Sequence, residues 1–360
     1  MVTTMLAIEQ AAAFWQNKKV FLTGHNGFKG SWMSLWLQKW GAELVGFSLP
    51  APSKNNLFTI ANVGQNMTSL AGDLRQFDQI KQAIAQHKPD IVIHMAAQSL
   101  VRYSYTNPIE TYATNVMGTL HLLEAVKQVG CAQAILNITT DKCYQNNEWD
   151  WGYREIDALG GHDPYSNSKA CSELLTAAYR SSYFHTDGAP RLATARAGNV
   201  IGGGDWAEDR LIPDIIRSNL HKEKLVIRNP EAIRPWQHVL ESVSGYLLLS
   251  QKLYENNQDY IGAWNFGPAE TDAKTVAWIA DYVTRAFDRP GAWQQDRSVQ
   301  PHEASYLKLD CAKAKSKLKW QPRWDLANGL DATIAWYKAF SAHENMHDFT
   351  LAQIHSFLTI

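Results

Sequence analysis

Residues Lys19 to Gly30 read K-V-F-L-T-G-H-N-G-F-K-G. A short apolar run stops at Gly24, Gly27 and Gly30, and Trp32, Leu35, Trp36 and Trp40 then recur at helical spacing over 30–40. That is a strand turning sharply into a helix. Glycines lack the Cβ that would keep an anion off the backbone, and a helix N-terminus supplies oriented N–H donors, so a pyrophosphate fits the turn. The spacing is G-x-x-G-x-x-G, not the commoner G-x-G-x-x-G, and it gains weight from its place after a first strand. The tryptophan stripe reads as core packing, although the chain holds 14 Trp.

Outward from this turn the pattern repeats. Glu43–Phe47, Ile91–Met95, Ala134–Thr139 and Arg191–Ala197 read as strands. Phe77–His87, Tyr112–Val129 and Tyr165–Tyr183 read as helices. Such alternation predicts an α/β fold of the Rossmann type, a doubly wound parallel sheet with helices on both faces. From Asn199 the pattern loosens, with Gly202–Gly204, Pro213, Pro230, Pro235, Pro268 and Pro290. The expected division is a dinucleotide-binding domain over 1–198 and a smaller, mixed substrate-binding lobe over 199–360, with part of 236–265 returning to the first domain.

The chain has 360 residues, 45% hydrophobic and 19% charged, enough for a large core. A net charge of −1 gives no field to recruit nucleic acid or an anionic membrane. No apolar run approaches the roughly 20 residues of a spanning helix. The first residues carry no secretory pattern, so a cytoplasmic protein is expected. Cys131, Cys143, Cys171 and Cys311 are scattered without a C-x-x-C pair. Reduced thiols and no metal are expected.

An acid usually closes the second strand to hold the ribose 2′-OH of NAD. Here Ser48 stands nearest that place, and no Arg is there to favour NADP. Asp73 and Leu74, after the expected third strand, are placed to hold adenine; a solvated loop acid is the alternative for Asp73.

The reacting groups come later. Tyr165 and Lys169 share one helix face as Y-x-x-x-K, behind a strand that ends in Thr139 and Thr140. A nearby ammonium and a nicotinamide cation favour the phenolate, which can take an alcohol proton while hydride leaves. Thr140 can orient the same alcohol. Y-x-x-x-K alone is weak, and a surface Tyr with a solvated Lys is its bland alternative; the ordered set of glycine loop, hydroxyl and Y-x-x-x-K is far rarer.

With T-G-H-N-G-F-K-G, M-A-A-Q (95–98), N-V-M-G-T (115–119), Tyr165/Lys169 and R-A-G-N-V-I-G-G-G-D-W (196–206), the sequence resembles the extended short-chain dehydrogenase/reductases. T-D-K-C-Y, W-G-Y-R-E, R-P-W-Q-H-V-L-E and Y-L-K-L-D are similar to the CDP-glucose 4,6-dehydratases among them. The resemblance spans Trp15 to about Trp336; the last twenty or so residues carry no recognised pattern. It implies NAD held by Gly24, Asn26, Gly27, Phe28, Gly30, Ser48, Asp73, Leu74, Ala96, Ala97, Gln98, Asn115, Tyr165 and Lys169. It implies a nucleoside diphosphate hexose as substrate, contacted by Asn199 and Arg234, with Arg210 and His302 as softer candidates that serve equally well as salt-bridge or cap residues.

The implied reaction oxidises C4 of the hexose, eliminates water across C5 and C6, and returns hydride to C6. The elimination needs an acid and a base. Related dTDP-glucose enzymes carry Thr-Asp-Glu where this chain has Thr140, Asp141 and Lys142. Asp141 is expected as the acid. Lys142 is expected to manage the C5 proton or, charged, to stabilise the C4 enolate; an outward-pointing loop lysine is the alternative. A dehydratase for another nucleotide, an epimerase, and a non-catalytic NAD-binding protein are the competing readings, and Asp141–Lys142 is what an epimerase would not need. His94 reads as a core histidine, while Cys143 and Arg191 receive no role. Pairing through the Tyr112 and Tyr165 helices, as a homodimer or dimer of dimers, is the assembly the resemblance implies.

Overall fold

The structure is a computed structural model that describes residues 2–51, 55–255, 258–298 and 306–359. Seven parallel strands form its central sheet, in the spatial order Gly262–Asn265, Arg191–Arg196, Ala134–Ile138, Ile91–His94, Lys19–Thr23, Glu43–Ser48, Thr68–Ala71. The chain winds outward from Lys19–Thr23 in one direction, then returns to Ile91–His94 and winds in the other. Its carboxyl-end crevice opens at that switch point, where ligands bind in such sheets. The doubly wound parallel sheet read from the sequence is present.

Side chains alternate across the strands with period two. Val20 and Leu22 point to one face, with Ile91, Ile93, Leu136 and Ala193, against Trp32, Leu35 and Trp36 of the glycine-loop helix Phe28–Lys39. Phe21 points to the other face, with Val92, Ile135 and Leu192, under Ile80 and Ile84 of Phe77–His87 and Leu122 and Val126 of Gly118–Val129. The tryptophan stripe is core: Trp32 and Trp36 are buried, and Trp40 meets Trp36 edge-on. The continuous helix expected over Tyr112–Val129 is interrupted by a π-turn at Ala113–Met117, which brings Asn115 inward.

The C-terminal part is less separate than its loosened pattern suggests. Gly262–Asn265 joins the main sheet as its seventh strand, and Val239–Tyr254 packs on the first face. The last helices, Leu326–Ser341 and Met346–Thr359, also lie against that side: Phe357 meets Trp36, and Trp336 underlies Gly203. Burial of these long-range aromatic pairs, absent from any local pattern, takes them out of the lobe. The short pairs Ile233–Pro235 with Ala273–Thr275 and Leu225–Ile227 with Trp293–Gln295 remain beside the crevice.

Candidate active site

The glycine turn leaves no space for side chains. Gly24 has φ +72, and a Cβ there would stand 2.7 Å from the amide of Ala96; a Cβ on Gly30 would overlap the Gly24 carbonyl. Gly27 caps the helix that begins at Phe28. The turn is therefore bare backbone at a helix N-terminus, which fits a dinucleotide pyrophosphate. Asn26 donates to the Leu49 carbonyl at 2.7 Å, tying the turn to the end of the second strand, and Phe28 lies against Gly202.

The two ends of the dinucleotide groove differ from a simple sequence reading. The Ser48 hydroxyl contacts His25 Nδ1 at 3.3 Å, and His25 Nε2 contacts the Ser69 hydroxyl at 2.7 Å. Burial lowers His25 to about 4, so this end is neutral. Asp73 holds its own loop: its carboxylate accepts from the Arg75 amide and guanidinium. Leu74 is buried behind it, against Gly118. Ala96 and Ala97 follow the fourth strand. There Thr23 accepts from the Met95 and Ala96 amides, so its hydroxyl proton goes to His94 Nδ1 at 2.7 Å. His94, also bonded to Thr119, is a satisfied core histidine that burial lowers to about 3. Asn115 accepts from the Gln98 amide and donates to the Gln98 carbonyl and to Ser168. Its amide is fully used in fixing the Gln98 loop, and the Gln98 side chain is spent on Leu100 and Thr111.

Asp163 caps the next helix by accepting from the Ser166 amide, with Pro164 in its first turn. Tyr165 therefore sits at the helix start, above the crevice. Its phenol is buried, which raises it to about 12 against a hydrogen bond with Thr140. One turn on, Lys169 donates to the Ile138 carbonyl at 3.0 Å; burial lowers it to about 8. Thr140 donates to Asp141 Oδ1 at 2.9 Å and caps the short turn Asp141–Cys143. The other carboxylate oxygen of Asp141 is buried and has no protein partner. A buried acceptor left free in this way is placed for a ligand. Burial raises the Cys143 thiol, which makes it unreactive.

One cavity of about 330 Å³ collects most of these groups: Thr140, Asp141, Lys142, Tyr165, Asn199, Arg210 and Arg234 all line it. Arg210 donates to Asp205 at 2.9 Å and to the exposed Ser99 at 3.0 Å, bridging the two sides of the crevice. Arg234 is buried on the strand Ile233–Pro235, and Asn199 has φ +35. His302 lies outside the described residues. Arg191 is spent on loop carbonyls away from the cavity. Lys29 also lines the cavity, lowered to about 8 by burial and then by Arg210. The local signal for this lysine is a charge in the first turn of an otherwise inward-packed helix. Among the described residues no cluster of His, Cys, Asp or Glu is built to hold a metal, and no helix is long and apolar enough to cross a membrane.

Residues 21–333 match the family model described as GDP-mannose 4,6 dehydratase. A CDP-glucose 4,6-dehydratase from Salmonella typhimurium is 54% identical over 92% of this chain and 94% of its own length. A dTDP-glucose 4,6-dehydratase from Xanthomonas campestris is 28% identical over 85% of this chain and 93% of its own. In fold, the chain is similar to a dTDP-glucose 4,6-dehydratase from Streptomyces venezuelae solved with NAD and TYD bound. The TM-score is 0.78 and the identity 22%, covering 90% of this chain and 98% of that one.

Proposed function

The chain belongs to the GDP-mannose 4,6 dehydratase family of extended short-chain dehydrogenase/reductases, and on that premise we propose that it is an NAD-dependent hydro-lyase converting CDP-D-glucose to CDP-4-keto-6-deoxy-D-glucose. The observation that carries this reading is that Asp141 and Lys142 line the same cavity as Thr140 and Tyr165. An enzyme that only oxidised and re-reduced C4 would have no use for that pair. CDP as the nucleotide rests on the Salmonella relative.

The residues divide the work. When bound, the nicotinamide of NAD would take the C4 hydride and later return it to C6. Tyr165, with its proton removed, accepts the C4 hydroxyl proton, and Thr140 holds that oxygen. Lys169 supplies positive charge behind the phenol while anchored to Ile138. The C4 ketone acidifies C5; Lys142 takes the C5 proton, and Asp141 gives a proton to the departing C6 hydroxyl. After hydride reaches C6 a proton returns to C5, and the net change is the loss of one water. Arg234 and Asn199 meet the diphosphate, with Arg210 across the crevice. We place the protein in nucleotide-sugar metabolism as a homodimer or dimer of dimers.

The test offers CDP-glucose and dTDP-glucose labelled with deuterium at C4. The expected product from CDP-glucose is a 4-keto-6-deoxy sugar with label at C6 and no lasting NADH. An epimer that keeps its C6 hydroxyl would overturn the dehydratase reading, and preference for dTDP-glucose would overturn the nucleotide. Lys142→Met should abolish solvent exchange at C5; wild-type exchange would remove Lys142 as the base.

A further inference from the structure

Below the cavity lies an ion pair that the reaction does not touch. Glu173 and Arg196 are each only 3% exposed. They meet through two parallel hydrogen bonds of 2.9 Å, Nε to Oε1 and Nη2 to Oε2. Glu173 also accepts from Thr139 at 2.5 Å and from Thr194 at 2.7 Å. Arg196 donates its remaining Nη1 to the hydroxyl of Tyr144 at 2.7 Å, and that hydroxyl donates onward to Asn265 at 2.8 Å. The guanidinium also lies over the Tyr144 ring, 4.8 Å from its centre. Burial works against the Glu173 carboxylate, but the guanidinium and the two hydroxyls outweigh it and hold it below the usual range.

The attachment points matter more than the pair. Thr139 is the residue before Thr140, and Tyr144 is the residue after Cys143. The segment between them forms an arch that carries Thr140, Asp141 and Lys142, and its two feet stand on opposite members of one buried ion pair. A buried pair gains little net stability over apolar packing, so fixing geometry is its better-attested use. Tyr165 and Lys169 hang from the helix Pro164–Ser182, which also carries Glu173, while Arg196 ends the strand Arg191–Arg196.

We propose that the Arg196–Glu173 pair is a positioning device for the elimination step: by holding both feet of the Thr139–Tyr144 arch it sets Asp141 and Lys142 against a substrate that Tyr165 oxidises. The foot at Tyr144 is the more selective, because it hangs from Arg196 on a strand, whereas the foot at Thr139 hangs from Glu173 on the helix of Tyr165 and Lys169. The inference rests on the dehydratase reading above.

The test uses full-length enzyme with NAD and CDP-glucose. Tyr144→Phe keeps the ring and removes the hydroxyl that joins Arg196 to Asn265. The expected result is a kcat lower by about tenfold to a hundredfold, with KM within about twofold, the size of change expected when an interaction made only after binding is lost. Reduced nicotinamide should accumulate during turnover, and a chemical quench should trap a 4-keto hexose that retains its C6 oxygen. Thr139→Val should do the same through the other foot, and Thr139→Ser should restore turnover; this second pair serves if Tyr144→Phe does not fold. If kcat is unchanged, or falls with no accumulation of reduced cofactor, the positioning role is overturned while the dehydratase reading stands. If wild-type enzyme makes only an epimer, the reading fails and this role falls with it.

Discussion

A Cβ on Gly198 would overlap Oδ2 of Asp141. The strand end that leads into Asn199 therefore passes directly against the carboxylate, and that carboxylate oxygen is the one without a protein partner. The absence of a side chain at Gly198 is what allows Asp141 to sit folded back under Thr140 with one oxygen free. Asp141 is buried, so little room exists for it to move aside without leaving its bond to Thr140.

Gly198→Ala should accordingly act as a mutation of Asp141 at one remove. The methyl group pushes the carboxylate away from the cavity while leaving Tyr165 and Lys169 in place. Loss of a well-placed general acid lowers rate by about a hundredfold or more, and a displaced one should lower kcat by somewhat less. KM should barely change. Steady-state rates on purified protein check this, and a variant with wild-type kcat would show that Asp141 does not need its present position.

Burial raises the Tyr165 phenol to about 12, and the Arg210 guanidinium works against that rise by favouring the phenolate. In the proposed mechanism Tyr165 acts as the phenolate, so activity should rise with pH along a limb set by Tyr165 and its surroundings. Arg210→Gln removes a cation and should move that limb upward by roughly one pH unit. Arg210→Lys keeps the charge and should leave the limb close to its original place. A pH profile of kcat/KM for the three proteins decides it; a limb unmoved by Arg210→Gln would mean the guanidinium serves only Asp205 and Ser99.

How much of this was legible before the fold was known depends on how local each signal is. The glycine turn at Lys19–Gly30 and the Tyr165–Lys169 pair are local: one strand, one turn and one helix face carry the whole meaning, and periodicity places them. The alternation of strands and helices likewise gave the sheet, although the π-turn at Asn115 was hidden inside a helical pattern. What stayed unread was non-local. Lys29 looked like any helical lysine until Arg210 and Asp205, far along the chain, were folded beside it. Glu173 and Arg196 belong to different elements and have no shared motif. The last helix, Met346–Thr359, carries no recognised pattern because its partner Trp36 lies about 320 residues earlier.

Acid should destabilise the protein through its buried histidines. Burial lowers His25 to about 4, His94 to about 3 and His238 to about 3. Below their ordinary value of 6.5 the unfolded chain binds protons that the folded chain does not. Stability is therefore whole above about pH 6.5 and is lost as pH falls toward 4, with each group contributing roughly 1 kcal/mol per pH unit. Glu241 works the other way. Burial raises it to about 7 while it accepts from the Arg323 and Trp324 amides, so it takes a proton in the folded state first and offsets part of the loss. Urea midpoints between pH 7 and 5 should fall, and Glu241→Gln should steepen the fall. A flat profile would show that these histidines take up protons in the folded chain as readily as in the unfolded one.

The helix Met346–Thr359 should matter for stability out of proportion to its unrecognised sequence. Phe357 is fully buried and meets Trp36 and Trp324 edge-on, at 5.7 and 5.2 Å between ring centres. Arg323 donates to the carbonyls of Phe357 and Leu358, and its guanidinium lies over the Phe357 ring. Thr350 accepts from the buried Trp336 indole at 2.9 Å. Phe357→Ala empties a site walled by aromatic rings that cannot collapse inward, so it should cost about 3–5 kcal/mol. Phe357→Leu fills most of that volume and should cost about 1.5 kcal/mol or less. Thr350→Val leaves the Trp336 N–H without a partner and should cost about 1–3 kcal/mol. Because Trp36 lies on the helix that starts at the glycine turn, Phe357→Ala should also weaken NAD binding, whereas Thr350→Val, acting through Gly203, should weaken it less. Denaturant melts with and without NAD measure both effects, and equal loss of NAD stabilisation in the two variants would break the link between Phe357 and the glycine-loop helix.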